Sequence, residues 1–568
     1  MSGASDPVAC ENEPIHTPGS IQPFGVLLAL DVGTLTVRHV STNSQDIFGN
    51  GAVPLGSTAA EILGPAAEAA LRNGLAENGL IVPRRIPGSI PGTGPQRWQG
   101  AAHCLAGMVF VELEPAIDAA TTSADWLAAF VNSVTRLSAD STVSAFAATV
   151  AREVRSLTGY DRVMVYRFDD EWNGKVIAEE RRADLETFLG LHYPASDIPS
   201  QARALFLFNR LRVIPDAACE QIPLVPDCDG STGLPLDLSR CLLRSVSPIH
   251  REYMHNMGVR ASLTASLVIG DRLWGLIACH HLTPRCPSPT EREACALVAQ
   301  VASTHIAFLS EVEDRENLGL LTEALRRTGA RIGATTPPIA ALAKNTEDLL
   351  ALVGANGAVV WRAGRGMPIG QTPPDEALPG LLDWIKNVAA PLIATDRLSS
   401  VYSEAKSFAS EASGLLVVEV SRATDEYLLW FRHEVLQTVN WGGDPHGKSD
   451  SDGRLSPRRS FAMWKETVTH RSLPWRPAEV ENATRVKNLV QAAASQSAAR
   501  LEALVPMCAW CKKVRDEPDY WRGVEEYISD LADVRFSHGI CPDCMSKQIA
   551  LYSARPAPGQ SHPEREAS

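Results

Sequence analysis

The chain has 568 residues, 45% of them apolar, and a formal charge of −13. That length predicts three to five domains, each able to bury its own core, and the acidic balance disfavours sequence-independent binding to nucleic acid, which relies on clustered Lys and Arg. No apolar run approaches the roughly 18 to 20 residues of a membrane span, no secretion signal opens the chain, and twelve cysteines without a dense framework fit a reducing compartment, so the expected location is the cytoplasm.

From the N-terminus, residues 6–25 read DPVACENEPIHTPGSIQPFG, a polar, proline-rich segment whose one thiol, Cys10, lacks the periodicity of a buried element. Residues 20–115 alternate short apolar stretches with turn residues around one helical stretch at AAEILGPAAEAAL, the pattern of a small α/β sensory module. A larger mixed block follows, with a helix over about 125–158, strands at DRVMVYRFD and GKVIAEERR, a proline-rich loop over 213–238, and strands at RASLTASLVIGD and RLWGLIACHH. From about 287 to 332, Ile306, Leu309, Val312, Leu318, Leu321 and Leu325 recur at spacings near three and four, which predicts a helix too long for an ordinary domain. A third mixed block runs to about 475, and a second long helix over 478–504 carries Val480, Ala483, Val490, Ala494, Leu501 and Leu504. Both seams are expected to pack on a partner helix, the alternative being packing within the chain.

Two blocks concentrate chemistry. In LHYPASDIPSQARALFLFNRLRVI (191–214) two prolines bracket Asp197 in a constrained turn, and Arg203, Arg210 and Arg212 follow. Guanidinium groups bind carboxylates in bidentate fashion, which points to an anionic ligand, although an N-capping aspartate with surface arginines would leave the same trace. In LLRSVSPIHREYMHNMGVRASLTASLVIGDRLWGLIACHH (242–281), Arg244, His250, Tyr253, Met257, Ser262, Thr264 and His280 interrupt apolar strands and a short helix. Each buried polar group needs a partner, and a ligand can be that partner.

With the thiol ahead of PGSIQPFG, the strings PASDIP, SPIHREYMHNMG, WGLIACHH, WFRHEVLQTVNWGGDP and PRRSF make residues 5–500 resemble the photosensory core of bacterial phytochromes, the bilin-binding red/far-red photoreceptors. The resemblance implies an α/β (α+β) multidomain fold with PAS, GAF and PHY mixed sheets joined by long helices. The implied limits are 1–120 for the N-terminal segment and PAS domain, 121–312 for the bilin-binding GAF domain and 313–500 for the PHY domain. It also implies an N-terminal segment threaded through the long GAF loop as a knot. Cys10 occupies the place of the thiol that forms a thioether with the ring A vinyl group of biliverdin. Relatives that use a GAF cysteine carry it immediately before the histidine, where this chain has Ile249, so the implied chromophore is covalent biliverdin IXα.

By motif position, His250 and the backbone of Asp197 would serve the pyrrole N–H groups, with Ile198, Pro199 and Met257 among the lining. Arg212 and Arg244 would bind one propionate, and Ser262, Thr264 and His250 would lie near the other. Tyr166, Tyr193, Tyr253 and His280 would line the ring D end, where light turns the C15=C16 double bond from Z to E. WGGDP and PRRSF match the PHY tongue, about 434–475, which in the family changes between strand and helix as the chromophore flips. Arg458 would pair with Asp197, and Trp441, Ser460, Phe461 and Trp475 are the other expected tongue signalling residues. His433 stands where the family is expected to carry proline, and the GGD of the tongue runs into Pro445, unlike a cyclase signature.

Only about 65 residues follow the second long helix, too few for a dimerisation-plus-ATPase pair, and no phosphate-cradling glycine-rich motif follows residue 500, so no kinase or other enzyme activity is expected. Instead, Cys508-x-x-Cys511 and Cys541-x-x-Cys544, separated by 29 residues, predict a zinc-ribbon-like module over 501–552 with four thiolates for one tetrahedral Zn2+. A redox dithiol and an iron–sulfur site are the alternatives, and His538 is expected outside the ligand set. DYWRGVEEYISDL reads as an amphipathic helix with Trp521, Val524, Tyr527 and Ile528 on its apolar side, and residues 553–568 as a disordered tail. The whole reads as a homodimeric photoreceptor whose C-terminal module binds a downstream signalling protein, with neither membrane nor nucleic acid as an expected partner. An atypical signalling enzyme and a small-molecule sensor without photochemistry are the competing readings.

Overall fold

The computed structural model describes residues 13–553 apart from 49–54, 82, 92–96, 117–122, 138–139, 231–232, 333–337, 345, 436, 443–462, 503–506, 518–519, 532–536 and 538. Cys10, Arg458, Ser460, Phe461 and His538 therefore lie outside the described residues, as does the expected tail beyond Ser553. Two compact units emerge, Met1–Arg315 with Gln437–Val468, and Glu316–Leu436 with Thr469–Ser568.

In chain order the strands begin with β1 (Ser20–Ile21), β2 (Val26–Asp31), β3 (Val37–Ser41), β4 (Arg84–Pro91), β5 (Arg97–Leu105) and β6 (Met108–Pro115). There follow β7 (Arg162–Phe168), β8 (Gly174–Arg181), β9 (His192–Tyr193), β10 (Leu211–Ile214), β11 (Ile222–Val225), β12 (Ala261–Ile269) and β13 (Arg272–His281). Next come β14 (Gly357–Arg362), β15 (Arg365–Gly370), β16 (Leu392–Thr395), β17 (Gly414–Ser421) and β18 (Glu426–Arg432). The last are β19 (Gln437–Gly442), β20 (Met463–Val468), β21 (Val514–Glu517) and β22 (Tyr520–Arg522).

The first unit holds two sheets. One has the order β1-β11-β3-β2-β6-β5-β4, so a strand from the proline-rich loop completes the N-terminal sheet. Residues 16–22 are gripped from both sides. Ile21 pairs with Ile222 in β11, while the Gln22 N–H donates to Leu243 O at 2.7 Å and the Ser245 N–H to Ser20 O at 3.2 Å. The N-terminal strand thus lies between the two arms of the 213–245 loop. Ile21, Leu27, Phe110, Leu224, Leu238 and Leu243 form the apolar layer beneath it, and burying such side chains contributes about 1.5–3 kcal/mol each.

The second sheet runs β10-β12-β13-β7-β8-β9-β19-β20, with the hairpin β19–β20 extending it at one edge. The helix expected over 125–158 is two helices, Ser123–Leu137 and Val143–Thr158, because Thr142 caps the second by accepting the Ala145 N–H at 3.3 Å. The helical stretch of the first sheet likewise divides into Ala59–Leu63 and Pro65–Asn78, since Gly64 adopts a φ of 90° and only glycine tolerates that conformation well.

The helix Pro289–Ile332 has the expected length, and a capping box starts it. Ser288 N–H donates to Glu291 Oε2 at 2.6 Å, Glu291 N–H donates to Ser288 Oγ at 3.2 Å, and Pro289 takes the first helical position. Over Pro289–Arg315 it is long and apolar enough to cross a membrane by length and composition, which corrects the sequence expectation. Yet Cys295, Val298, Ala299, Ala302, Ile306 and Leu309 are buried in the core under the second sheet with Phe146 and Leu263. Part of each helical seam packs within the chain, while Ala494 is exposed. Leu321 is buried within this chain, as are Ala483 and Val490 of helix Pro477–Glu502, the last two in the core of the second unit. A stripe at helical spacing cannot distinguish a partner's helix from the chain's own sheet.

The second unit is an antiparallel sheet of order β15-β14-β18-β17-β16 with helices on both faces. Trp430 is completely buried there, and its Nε1–H donates to Leu349 O at 3.0 Å. Buried Arg432 pairs with Glu479 at 2.8 Å and stacks over Trp475 at 4.0 Å. In the cysteine-rich piece, Trp521 falls in β22 and not in the helix, which is confined to Val524–Leu531. Truncating Trp430 to Ala is expected to destabilise the second unit by about 3–5 kcal/mol. Urea unfolding checks this, and a midpoint like that of the parent would contradict the core assignment.

Candidate functional site

A cavity of about 530 Å3 opens in the first unit between the second sheet and two helices, Ser200–Phe208 and Pro248–Asn256. The pleat of three adjacent strands supplies its floor. β12 contributes Ser262 and Thr264, β10 contributes Arg212 directly opposite Thr264, and β13 contributes His280 directly opposite Ser262. Because side chains alternate along a strand, Ser262, Thr264 and their partners share one face. Tyr166 enters from β7 and Tyr193 from β9, their ring centroids 6.0 Å apart. The helix started by Pro248 turns His250, Tyr253 and Met257 to the cavity, with the His250 and Tyr253 rings stacked at 6.1 Å. Opposite, Pro194 and Pro199 bound the turn that carries Asp197, Ile198 and Pro199 to the wall, and Tyr253 Oη donates to Asp197 Oδ2 at 3.5 Å. Every residue that the family resemblance assigned to the pocket among the described residues lines this cavity.

The electrostatics are those of an anion site with neutral imidazoles. Neither Arg212 nor Arg244 makes an ion pair among the described residues, and the Nε and Nη1 groups of buried Arg244 have no hydrogen-bond partner. Arg212 donates only to carbonyls, Leu242 O at 3.4 Å and Ser245 O at 2.9 Å. Burial, reinforced by Arg244, pushes the Arg212 guanidinium well below its usual pKa. Two desolvated guanidinium groups with donors to spare suit a carboxylate. Burial lowers His250 to about 4 and His280 to about 3, with Arg212 adding to the first and Arg162 to the second, and His280 Nδ1 is likewise without a partner. A ligand rich in N–H groups and bearing carboxylates fits this set of unsatisfied atoms.

The hairpin β19–β20 reaches the same wall. β19 runs parallel to β9 with Trp441 opposite His192, the two rings 6.0 Å apart. A Cβ on the next residue, Gly442, would stand 2.6 Å from the Tyr193 ring, so only glycine admits this approach to a cavity side chain. Trp475 is not part of that contact. It sits in the second unit under Arg432, its Nε1–H donating to Thr395 O at 3.1 Å.

Two arginines expected near the ligand do not line the cavity. Arg203 instead donates to Ala195 O at 3.1 Å and lies over Trp172, bracing the Asp197 turn, and the Arg210 carbonyl serves Ser266 N–H. Conversely, Glu13 and Ile15 line the cavity unannounced, Glu13 accepting from Ser247 Oγ at 2.7 Å. No local pattern marks them, since a strand of the loop brings them there. In the cysteine-rich piece each C-x-x-C folds into a knuckle, with Cys511 N–H at 3.5 Å from Cys508 Sγ and Cys544 N–H at 3.4 Å from Cys541 Sγ. Those N–H groups lower the thiol pKa of Cys508 and Cys541. The two knuckles are not gathered: among the described residues, the set of three potential ligands drawn within 4.8 Å of one another is His103, Glu112 and Cys241.

The chain matches the PAS fold over residues 10–116, the GAF domain over 142–308 and the phytochrome region over 323–499. It is 37% identical over 520 residues to a bacteriophytochrome of Xanthomonas campestris pv. campestris, covering 86% of this chain and 80% of that one. The chain belongs to the phytochrome family. Cyanobacterial phytochrome B of Nostoc sp. is 39% identical over 503 residues, 87% of this chain and 67% of its own length, so the chain spans about two thirds of that relative. The crystal structure of a bacteriophytochrome from the photosynthetic bacterium R. palustris superposes with a TM-score of 0.76 at 37% identity, covering 87% of this chain and 99% of that one. Phytochromes are bilin-binding red/far-red photoreceptors, and the cavity offers what a bilin's carboxylates and N–H groups require.

Both pocket histidines are neutral at pH 7 in the chromophore-free phytochrome. Their pKa values lie below the ordinary 6.5, so each contributes stability that is complete above that value and lost as pH falls toward about 4 and about 3. The urea midpoint of the chromophore-free protein is expected to fall from pH 6.5 to 4, and to fall less when His250 and His280 are both replaced by Gln. Equal slopes would contradict their assignment as neutral rings lining the cavity.

Proposed function

We propose that this phytochrome covalently binds biliverdin IXα at Cys10 and signals red and far-red light through the β19–β20 tongue. The observation that carries the reading is the pair of half-buried Arg212 and buried Arg244, which line the cavity without an ion pair among the described residues. Cys10 precedes the cavity residue Glu13 by three positions, within about 10 Å of extended chain, which keeps its thiol in reach of a vinyl group at that end. Bound there, biliverdin would supply the red-absorbing conjugated system and the C15=C16 bond that light turns.

The chain's own residues hold and orient it. Arg212 and Arg244 would take one propionate, and Ser262, Thr264 and His250 would meet the other. His250 and the Asp197 carbonyl would accept pyrrole N–H groups, and Tyr166, Tyr193, Tyr253 and His280 would shape the ring D end. A ring D movement that displaces Tyr193 would act at once on Gly442, whose backbone lies against that ring. Arg458 is the tongue residue proposed to pair with Asp197 and to part from it as the tongue refolds, with Ser460 a further signalling residue and Phe461 re-docking beside it, a two-state element of the kind a switch needs.

For output, we propose a homodimer in the cytoplasm with no enzymatic activity of its own, the C-terminal module binding a downstream signalling protein. Cys508, Cys511, Cys541 and Cys544 would hold one Zn2+ once the two knuckles close on it, since backbone N–H groups aimed at sulfur favour the thiolate form that zinc requires.

Absorption spectra of the protein assembled with biliverdin, before and after red and far-red light, are expected to interconvert. Cys10→Ser should abolish bilin fluorescence on a denaturing gel, and a spectrum that light leaves unchanged would refute the photoreceptor reading. Metal analysis of the full chain should give one zinc per chain, lost in Cys508→Ser. No zinc in the parent would remove the zinc assignment while leaving the pocket untouched.

A further inference from the structure

On the face of β5 and β6 that the 213–245 loop covers, three ionisable side chains are buried together. They are His103 on β5, Glu112 on β6 and Cys241 in the loop, 1%, 7% and 0% exposed. The His103 ring lies between the other two, Nδ1 3.7 Å from a Glu112 oxygen and Nε2 3.7 Å from the Cys241 sulfur. Opposite ring nitrogens face the two neighbours, and the charges of Arg212, Arg240 and Arg244 act on the trio.

A short stretch of backbone joins this trio to the cavity. From one side Leu243 N–H donates to a Glu112 oxygen at 2.6 Å. From the other, Arg212 donates to the carbonyls of Leu242 at 3.4 Å and Ser245 at 2.9 Å. Glu112 supplies the largest favourable charge acting on buried Arg212. Arg212, Arg244 and Ser245 all line the cavity.

We propose that Glu112 is a proton-binding site coupled to the pocket: a carboxylate seated on Arg212 offsets the positive charge by which that guanidinium favours ionised Glu112, and Glu112 takes up a proton in response. This rests on the reading of the cavity as a bilin site and adds to it a residue from the neighbouring sheet. Burial holds the Glu112 carboxyl up to about 7, Glu114 pushes it further, and the N–H groups of Leu243 and Leu242 with the charge of Arg292 oppose the rise. The other ionisable groups near the trio do not compete near neutrality, because burial lowers His103 to about 4 and raises the thiols of Cys104 and Cys241. A carboxyl half-ionised near pH 7 gains a proton when a neighbouring anion arrives, whereas near pH 5 it is already protonated and gains none. By reciprocity the chromophore's carboxylate binds less tightly as pH rises through this window.

The test counts protons. The full chain is assembled with biliverdin in weakly buffered solution containing a pH indicator, at pH 7 and at pH 5, beside Glu112→Gln, whose amide oxygen still accepts from Leu243 N–H. At pH 7 the parent is expected to take up about half a proton more per chromophore than the variant, and at pH 5 the counts should agree. Equal counts at pH 7 with both proteins assembled overturn the proposal and leave the pocket assignment standing. No bilin absorption band in the parent overturns both. Should the variant fail to assemble, the parent is loaded with biliverdin and with its dimethyl ester. A smaller count with the ester supports the coupling, and equal counts overturn it.

Discussion

Two guanidinium groups, Arg244 buried and Arg212 half-buried, with no ion pair among the described residues, are the constraint around which the first unit is organised. Removing an ion from water costs several kcal/mol unless its hydrogen bonds are replaced. Arg212 recovers part of this from the carbonyls of Leu242 and Ser245, and Glu112 adds an opposite charge from the next sheet. Arg244 keeps two donors unserved. Such a site is stable only if the surrounding chain is fixed firmly enough that the arginines cannot swing to solvent. The grip of the 213–245 loop on residues 16–22 provides that fixity, because the same few residues pair with the N-terminal strand on one edge and present Arg244 to the cavity on the other.

The tongue meets the cavity by a different kind of contact. Among the described residues, a parallel pairing of Trp441 with His192 adds β19 to the edge of the second sheet, and parallel pairing at an edge is among the weaker sheet interactions. What makes it specific is the fit of Gly442 against Tyr193. A close steric fit at a sheet edge would suit the tongue movement proposed above.

Much of this was legible in the sequence because polar residues inside apolar strands have few explanations. Ser262, Thr264 and His280 sit in strands whose neighbours are almost entirely buried, and all three line the cavity. Glu112 was not legible for the converse reason. In MVFVELEP it alternates with Val111 and Leu113, which reads as a solvent-facing position, and only the loop arriving from more than 100 residues downstream buries it. Arg203 and Arg212 look alike in the sequence, yet one braces a turn and the other faces the cavity, because a helix end and a strand aim them differently. The seam residues of the long helices carry a period that is the same whether the opposing surface belongs to this chain or to another.

The two cysteine knuckles complete the argument about what local sequence can specify. A C-x-x-C turn is decided within a few residues, since the N–H groups of the following residues fold back onto the first sulfur, and both turns form as expected. Bringing the knuckles together depends on the segment between them, where β21, β22 and the helix Val524–Leu531 leave Trp521 and Ile528 exposed. So small a hydrophobic core contributes little to closure. In a module of this size, binding of a metal and folding would be one event, and the proposed zinc would supply the long-range contact that the apolar residues do not.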